Sequence, residues 1–302
     1  EIVMKGMKKM VFAGLLCIVA ASLFAQTEVL FEKNLETTKT GLLNVLTESA
    51  DIDISVWNKR RVMVVVRGLK KTEKVLDISV TENDGGISVS VKKAENRKLL
   101  GWGGIQFTSV EILVPESWSV RAGTGGGDIK INNVTGSVEL DSGGGDITAA
   151  ATSGEFRAYS ASGDISLSGN TGPVDLSSGG GDIRAVLIQG VFKAISDSGD
   201  VFYEGSDGSV SVYSASGDCA IQYRGKNRGL DIRTSSGNIT LVVPEELDAK
   251  IECTSGSGVV TTSFPSATVL AKSATNYEAA LNGGGEKIIL RTQSGIIDAA
   301  AR

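Results

Sequence analysis

Between residues 123 and 242 the chain alternates apolar and polar positions in short bursts that restart at a fixed interval. Counted from an aspartate, the first and third residues are apolar or small, and so are the tenth and twelfth. Asp128 is followed in this way by Ile129, Ile131, Val138 and Leu140, and Asp164 by Ile165, Leu167, Val174 and Leu176. Asp200 is followed by Val201, Tyr203, Val210 and Val212. Residues between them, such as Lys130, Glu139, Ser166 and Asp175, are polar. A period of two marks extended backbone with one buried face, so each interval predicts two short strands.

Recurrent motifs set an 18-residue interval. Gly-Gly-Asp-Ile occurs at 126–129, 144–147 and 180–183, and Ser-Gly-Asp-Ile at 162–165. The acidic position recurs at Asp128, Asp146, Asp164, Asp182, Asp200 and Asp218, and Asn238 follows two positions late. A second marker keeps the same step eight residues later, at Gly136, Gly154, Gly172, Gly190 and Gly208. One interval alone buries too little apolar surface to offset the entropy of ordering its backbone. Stacking adds a hydrogen-bond ladder above and below and makes the apolar column continuous. The expected fold is therefore all-β, a single-chain parallel β-solenoid with 18-residue rungs. Its hand is right, by the rule for parallel crossovers. Outward ladders of Ser, Thr, Asp and Lys are expected on its faces.

Each recurrent aspartate follows a glycine: Gly127, Gly145, Gly163, Gly181, Gly199 and Gly217. These pairs read as structural turns in which the glycine takes a positive φ and the aspartate accepts nearby backbone N–H groups. The alternative is a calcium ladder on Asp128, Asp146, Asp164, Asp182, Asp200 and Asp218, since stacked carboxylates repel one another and attract a divalent cation. Calcium-binding β-rolls use a nine-residue Gly-Gly-x-Gly-x-Asp repeat, and the second half of each interval here has no matching Asp. The turn reading is preferred, with no catalytic, cofactor or metal site.

Outside this region the repeat blurs but the strands persist. Leu43–Val45, Ile52–Val56, Val62–Val66, Leu76–Val80, Ile87–Val91 and Val110–Val114 read as strands within a β-rich N-terminal region, 26–122, that caps the stack edge. Ala50–Ile54 looks like an imperfect rung opening, and Gln293–Ile297 like a last one within a C-terminal extension, 243–302. Val114-Pro115-Glu116 and Val243-Pro244-Glu245 begin two similar strand–Pro–strand–Gly modules. Trp102 sits in a Gly-rich stretch, Leu99–Gly104, where it either folds back on its own domain or contacts a sugar, a partner or a membrane.

Residues 1–25 read as an export signal, with Lys5, Lys8 and Lys9 before an uncharged apolar run from Met10 to Phe24. That run is short for a spanning helix. The mature chain is expected to lack an integral membrane span and to reside in the periplasm, on the outer surface or outside the cell. Composition then removes function classes. The 38 glycines against 4 prolines suit many tight turns. A net charge of -5 gives no basic face for nucleic acid. Histidine is absent, which excludes His-based acid–base, nucleophilic and zinc chemistry. Cys219 and Cys253 read as two small buried apolar residues rather than a disulfide framework.

The Gly-Asp-Ile turns, the Val-Pro strand endings and the exported N-terminus together resemble the adhesin-like bacterial family DUF4097, from about residue 40 to the C-terminus. The resemblance implies a β-strand-repeat solenoid, extracytoplasmic in many members, with the adhesin role assigned by analogy and no catalytic residues to carry over. The expected function is a non-catalytic cell-envelope surface protein that uses its solenoid for binding or scaffolding, with an envelope or extracellular partner, protein or glycan. Two alternatives stand beside it: a self-assembling bactofilin-like filament, and a carbohydrate-active β-helix enzyme.

Overall fold

A computed structural model describes residues 27–37, 40–83, 85–94 and 108–302. The segment 1–25 read as an export signal and the Gly-rich stretch around Trp102 lie outside the described residues. The chain forms β1 (Glu28–Glu36), β2 (Thr40–Thr47), β3 (Asp51–Trp57), β4 (Arg61–Gly68), β5 (Leu76–Asn83), β6 (Gly86–Lys93), β7 (Ser109–Pro115) and β8 (Ser117–Thr124). The regular region follows with β9 (Ile129–Asn132), β10 (Val138–Ser142), β11 (Ile147–Ser153), β12 (Phe156–Ser160), β13 (Ile165–Thr171), β14 (Val174–Ser178) and β15 (Ile183–Gln189). It continues through β16 (Phe192–Ser196), β17 (Val201–Ser206), β18 (Val210–Ser214), β19 (Cys219–Arg224), β20 (Leu230–Thr234) and β21 (Ile239–Val243). The C-terminal part adds β22 (Ala249–Ser255), β23 (Val260–Ser263), β24 (Ala267–Lys272), β25 (Asn276–Leu281), β26 (Lys287–Thr292) and β27 (Ile297–Ala301). One 3-10 segment, Lys70–Val75, joins β4 to β5.

Alternate strands feed two stacked, mostly parallel sheets, as in a β-solenoid. Sheet A has 13 strands, ordered β1-β4-β7-β3-β9-β11-β13-β15-β17-β19-β21-β27-β23. Sheet B has 14, ordered β24-β25-β22-β26-β20-β18-β16-β14-β12-β10-β8-β2-β6-β5. In sheet A, Ile129 pairs with Ile147, Ile147 with Ile165, Ile165 with Ile183 and Ile183 with Val201. In sheet B, Val138 pairs with Phe156, Phe156 with Val174 and Val174 with Phe192. Each of these residues is buried, so the period-two pattern places one face of each strand from β9 to β21 in a single core between the sheets.

At both ends the order of strands in the stack departs from their order in the chain. Strand β7 lies between β4 and β3, and β8 between β2 and β10. The last two strands are inserted likewise: β26 sits between β20 and β22, and β27 between β21 and β23. The modules that Pro115 and Pro244 open are therefore the places where the chain leaves serial stacking. Antiparallel pairs β5–β6, β1–β4 and β24–β25 lie at the sheet edges. Cys219 and Cys253 are free and buried, and burial pushes both thiols up to about 12.

A tyrosine in the core is left unsatisfied. Tyr203 is fully buried against Phe192, ring centroids 4.4 Å apart, and its hydroxyl has no hydrogen-bond partner among the described residues. Burial holds that phenol well above its ordinary range. A buried hydroxyl without a partner costs about 1–3 kcal/mol. Tyr203→Phe is therefore expected to raise stability by about 1 kcal/mol, read as a higher urea midpoint at unchanged m-value. A lower midpoint would mean that the hydroxyl does have a partner.

Candidate functional site

The recurrent Gly-Asp pairs meet at the corner where sheet B hands the chain to sheet A. Each sheet B strand in the repeat ends on a Ser or Thr, and these align in one column: Thr124, Ser142, Ser160, Ser178, Ser196, Ser214 and Thr234. All are buried. Ser160 shows the geometry. Its Oγ donates to Gly145 O at 3.1 Å and accepts from Gly163 N at 2.9 Å. Ser142 and Ser178 repeat both bonds with their own glycines. The hydroxyl thus closes the turn beside it and ties that turn to the preceding one. The expectation that Ser ladders face outward fails for this column. Its serines lie fourteen residues past the aspartate, on the same face as the tenth and twelfth, and so point in.

The aspartates also act between levels rather than within their own turns. Asp128 Oδ1 accepts from Asp146 N at 2.9 Å, Asp146 Oδ1 from Asp164 N at 2.8 Å, and Asp164 Oδ1 from Asp182 N at 2.8 Å. Asp182 and Asp200 continue the series to Asp200 N and Asp218 N. It begins at Asp51, which receives Asp128 N at 3.0 Å. It ends with Asp218 receiving Asn238 N and Asn238 Oδ1 receiving Ile296 N. Asn238 serves as well as Asp because an amide oxygen accepts equally. One carboxylate oxygen of each aspartate is thus already engaged by backbone. Among the described residues, no group of three or more His, Cys, Asp or Glu side chains is placed to hold a metal ion. Asp164→Ala removes one exposed hydrogen bond of this series and is expected to cost about 1 kcal/mol in chemical denaturation. Unchanged stability would show the bond to be dispensable.

The glycines preceding the aspartates do not take the positive φ expected of them. Gly127, Gly145, Gly163, Gly181, Gly199 and Gly217 are absent from the left-handed region, which Gly154, Gly172 and Gly190 of the second marker occupy at φ 114°, 134° and 130°. The first set is required by close approach instead. A Cβ on Gly163 would overlap the carbonyl of Gly145, and one on Gly181 that of Gly163. The bond from the preceding serine draws successive turns together until only hydrogen fits.

These corner residues are therefore spent on the stack, and variety is left to the outer faces. On sheet B two outward columns run side by side. The first holds Arg121, Glu139, Arg157, Asp175 and Lys193 in successive strands. The second holds Leu46, Gly123, Asp141, Tyr159, Ser177, Ile195, Tyr213 and Arg233. Charges in the first column pair internally: Arg121 with Glu139 at 2.7 Å and Lys193 with Asp175 at 3.4 Å. Arg157 pairs with Glu155 at 2.6 Å and Arg233 with Asp231 at 2.7 Å. Tyr159 and Tyr213 expose 44% and 42% of their surface. A shallow groove of about 350 Å³ lies between the columns, lined among others by Glu139, Asp141, Tyr159, Ser177 and Lys193.

A family model described as Toastrack DUF4097 matches residues 42–299. The chain belongs to the Toastrack DUF4097 family. No curated protein matches this Toastrack chain. A solved structure of a candidate adhesin from Bacteroides fragilis is 17% identical to it with a TM-score of 0.50, covering 71% of this chain and 96% of the other. A candidate lipid-binding protein from Parabacteroides distasonis is 12% identical with a TM-score of 0.43, covering 91% and 97%. A candidate cell adhesion protein from Clostridium sporogenes is 11% identical with a TM-score of 0.29, covering 92% and 99%. At 17% identity the likeness to the Bacteroides fragilis structure speaks to fold alone.

The structure thus brings the recurrent Gly-Asp pairs to one corner of the Toastrack stack, where the aspartates hold backbone, and stacks the second glycine marker at the opposite corner, where sheet A hands the chain to sheet B. The serine column was missed, although Ser142, Ser160, Ser178, Ser196 and Ser214 keep the 18-residue step and could have been found by it. The sheet B columns had no such signal, because outward residues vary from one interval to the next.

Proposed function

We propose that this Toastrack protein is an exported, non-catalytic surface protein of the bacterial cell envelope that binds or scaffolds in an adhesin-like way. In this reading the 18-residue interval is one rung of a right-handed solenoid. Pairings such as Ile129 with Ile147 and Ile147 with Ile165 support the rung, and the twist of parallel strands favours the hand. The observation that carries the function is the division of labour across the stack. The recurrent Ser and Asp side chains are occupied by backbone and the glycines between them by close approach of the next level, whereas the outer face of sheet B presents varied, exposed side chains along many strands. A long face with only a shallow groove suits recognition better than turnover, which needs groups converging in a cleft.

The leader-like segment 1–25 supports export to the periplasm, the outer surface or beyond. Among the described residues no helix is long and apolar enough to cross a membrane. The filament alternative has one observation in its favour, since edge strand β24 exposes Val269 and Leu270. Pro265 just before it, its bulge between Val269 and Ala271, and Lys272 at its end are features that discourage edge-to-edge addition. Incubating the full chain with isolated bacterial envelopes and with extracellular matrix tests the reading. Retention after washing, with no sugar or peptide fragments released, is the expected result. Failure to be retained on either, or steady release of fragments, overturns it.

A further inference from the structure

We infer that the outer face of sheet B binds an extended, uncharged glycan laid along the stack axis, with Tyr159 and Tyr213 as its two stacking platforms. This rests on the binding-face reading above and names the ligand class for that face. Tyr159 and Tyr213 share one column and are three strand steps apart, through Ser177 and Ile195. That separation is about 14 Å along the axis. Ser177 and Ile195 are only half-buried and shorter than tyrosine, so the surface dips between two raised aromatic rings. A ligand spanning both must be long, and it must offer apolar ring faces with hydroxyl groups at their rims, which is the chemistry of a chain of pyranoses. Tyrosine provides the matching surface, an apolar ring with a polar tip.

The surroundings favour a ligand without charge. Every basic side chain carried by the sheet B strands from β8 to β20 is already in an ion pair: Arg121, Arg157, Lys193 and Arg233. A polyanion would have to displace a carboxylate at each of them, and a polycation would have to displace a base from Glu139, Glu155, Asp175 and Asp231, which leaves Asp141 as the carboxylate of the tyrosine column outside these pairs. Asp141 stands one strand step from Tyr159, where its carboxylate can accept hydrogen bonds from sugar hydroxyls. Along the other margin of the tyrosine column the turns carry Gly143, Ala161, Gly179, Asp197 and Ala215. Four of the five are too small to wall the column in, so a broad polymer can lie across it. An interface with a folded protein would ordinarily bring a desolvated apolar centre, and Ser177 lies midway between Asp141 and Tyr213 instead.

Titration calorimetry of the full chain with neutral β-1,4-linked hexamers of glucose and of N-acetylglucosamine tests the inference, with a galacturonate hexamer as the charged control. At least one neutral hexamer is expected to bind, with affinity unchanged between about 0.05 and about 0.5 M salt because no ionic contact is involved. The double variant Tyr159→Ala, Tyr213→Ala is expected to weaken that binding at least tenfold at an unchanged melting temperature, both side chains being exposed. Binding that survives the double variant overturns the site. Preference for the galacturonate hexamer, or loss of binding in salt, overturns the uncharged class. If neither neutral hexamer binds but envelopes still retain the parent chain and not the variant, the glycan is wrong and a protein partner takes its place. Failure of envelope and matrix retention in the parent would instead remove the function proposed above.

Discussion

Gly181→Ala is expected to destabilise the protein by about 3 kcal/mol or more, or to prevent folding, while Gly180→Ala one residue earlier is expected to be nearly neutral. The two substitutions add the same methyl group to the same turn. At Gly181 the new carbon would overlap the carbonyl group of Gly163 and the backbone nitrogen of Asp164. None of those atoms belongs to a flexible side chain, and each is held by its own hydrogen bonds. Relief requires two levels of the stack to separate, which stretches at once the bonds from Ser178 Oγ to Gly163 O and from Asp182 N to Asp164 Oδ1. At Gly180 the nearest atom would be Ser162 O at 3.6 Å, an ordinary contact. Urea denaturation of the pair, followed by circular dichroism, gives the comparison. Equal midpoints would show that the levels are not held as closely as the geometry places them.

The second large effect is expected at Ser178. Its Oγ donates to Gly163 O at 3.2 Å and accepts from Gly181 N at 2.9 Å, and the residue is buried. Alanine removes both bonds and leaves a buried N–H without a partner, which costs about 2–3 kcal/mol. Threonine keeps the hydroxyl, and the same column already holds Thr124 and Thr234. Ser178→Thr is therefore expected to lose less than half as much as Ser178→Ala. If both lose the same, packing of the extra methyl and not the hydroxyl governs the position. Asp164→Ala should remain the mildest of the three, because an exposed group can be replaced by water and a buried one cannot.

Two residues with equally regular spacing thus differ in consequence, and spacing alone does not reveal which is buried. Asp and Ser both recur at the same interval. Their chemistry as turn-forming residues is similar, and a local reading assigns the turn to the one beside the glycine. The corner geometry reverses this. The serine lies on the inward face and closes its turn, while the aspartate reaches along the axis to the next level. The glycines show the same limit. Their recurrence said that a side chain is forbidden, but the cause is crowding from the neighbour one full interval away, which no reading of a single turn contains.

Alternation and recurrence are local properties, written into any single interval and its successor, and they carried the strand positions, the inward residues and the two-sheet stack. They also marked Asp51 and the Gln293–Ile297 segment as imperfect copies. The amino-acid order could not place Asp51 directly beneath Asp128, or Ile297 between Ile239 and Val260. Those neighbours lie several intervals apart along the chain, and nothing periodic connects them. Such contacts form because strands at each end must cover an apolar edge and satisfy its backbone groups, and several insertions would satisfy the pattern equally. Folding selects among them by packing and by hydrogen-bond closure across the whole stack. Tyr159 and Tyr213, by contrast, lie three whole intervals apart, so their shared column follows from the recurrence, and only the ion pairing of the charges beside them is decided by the folded stack.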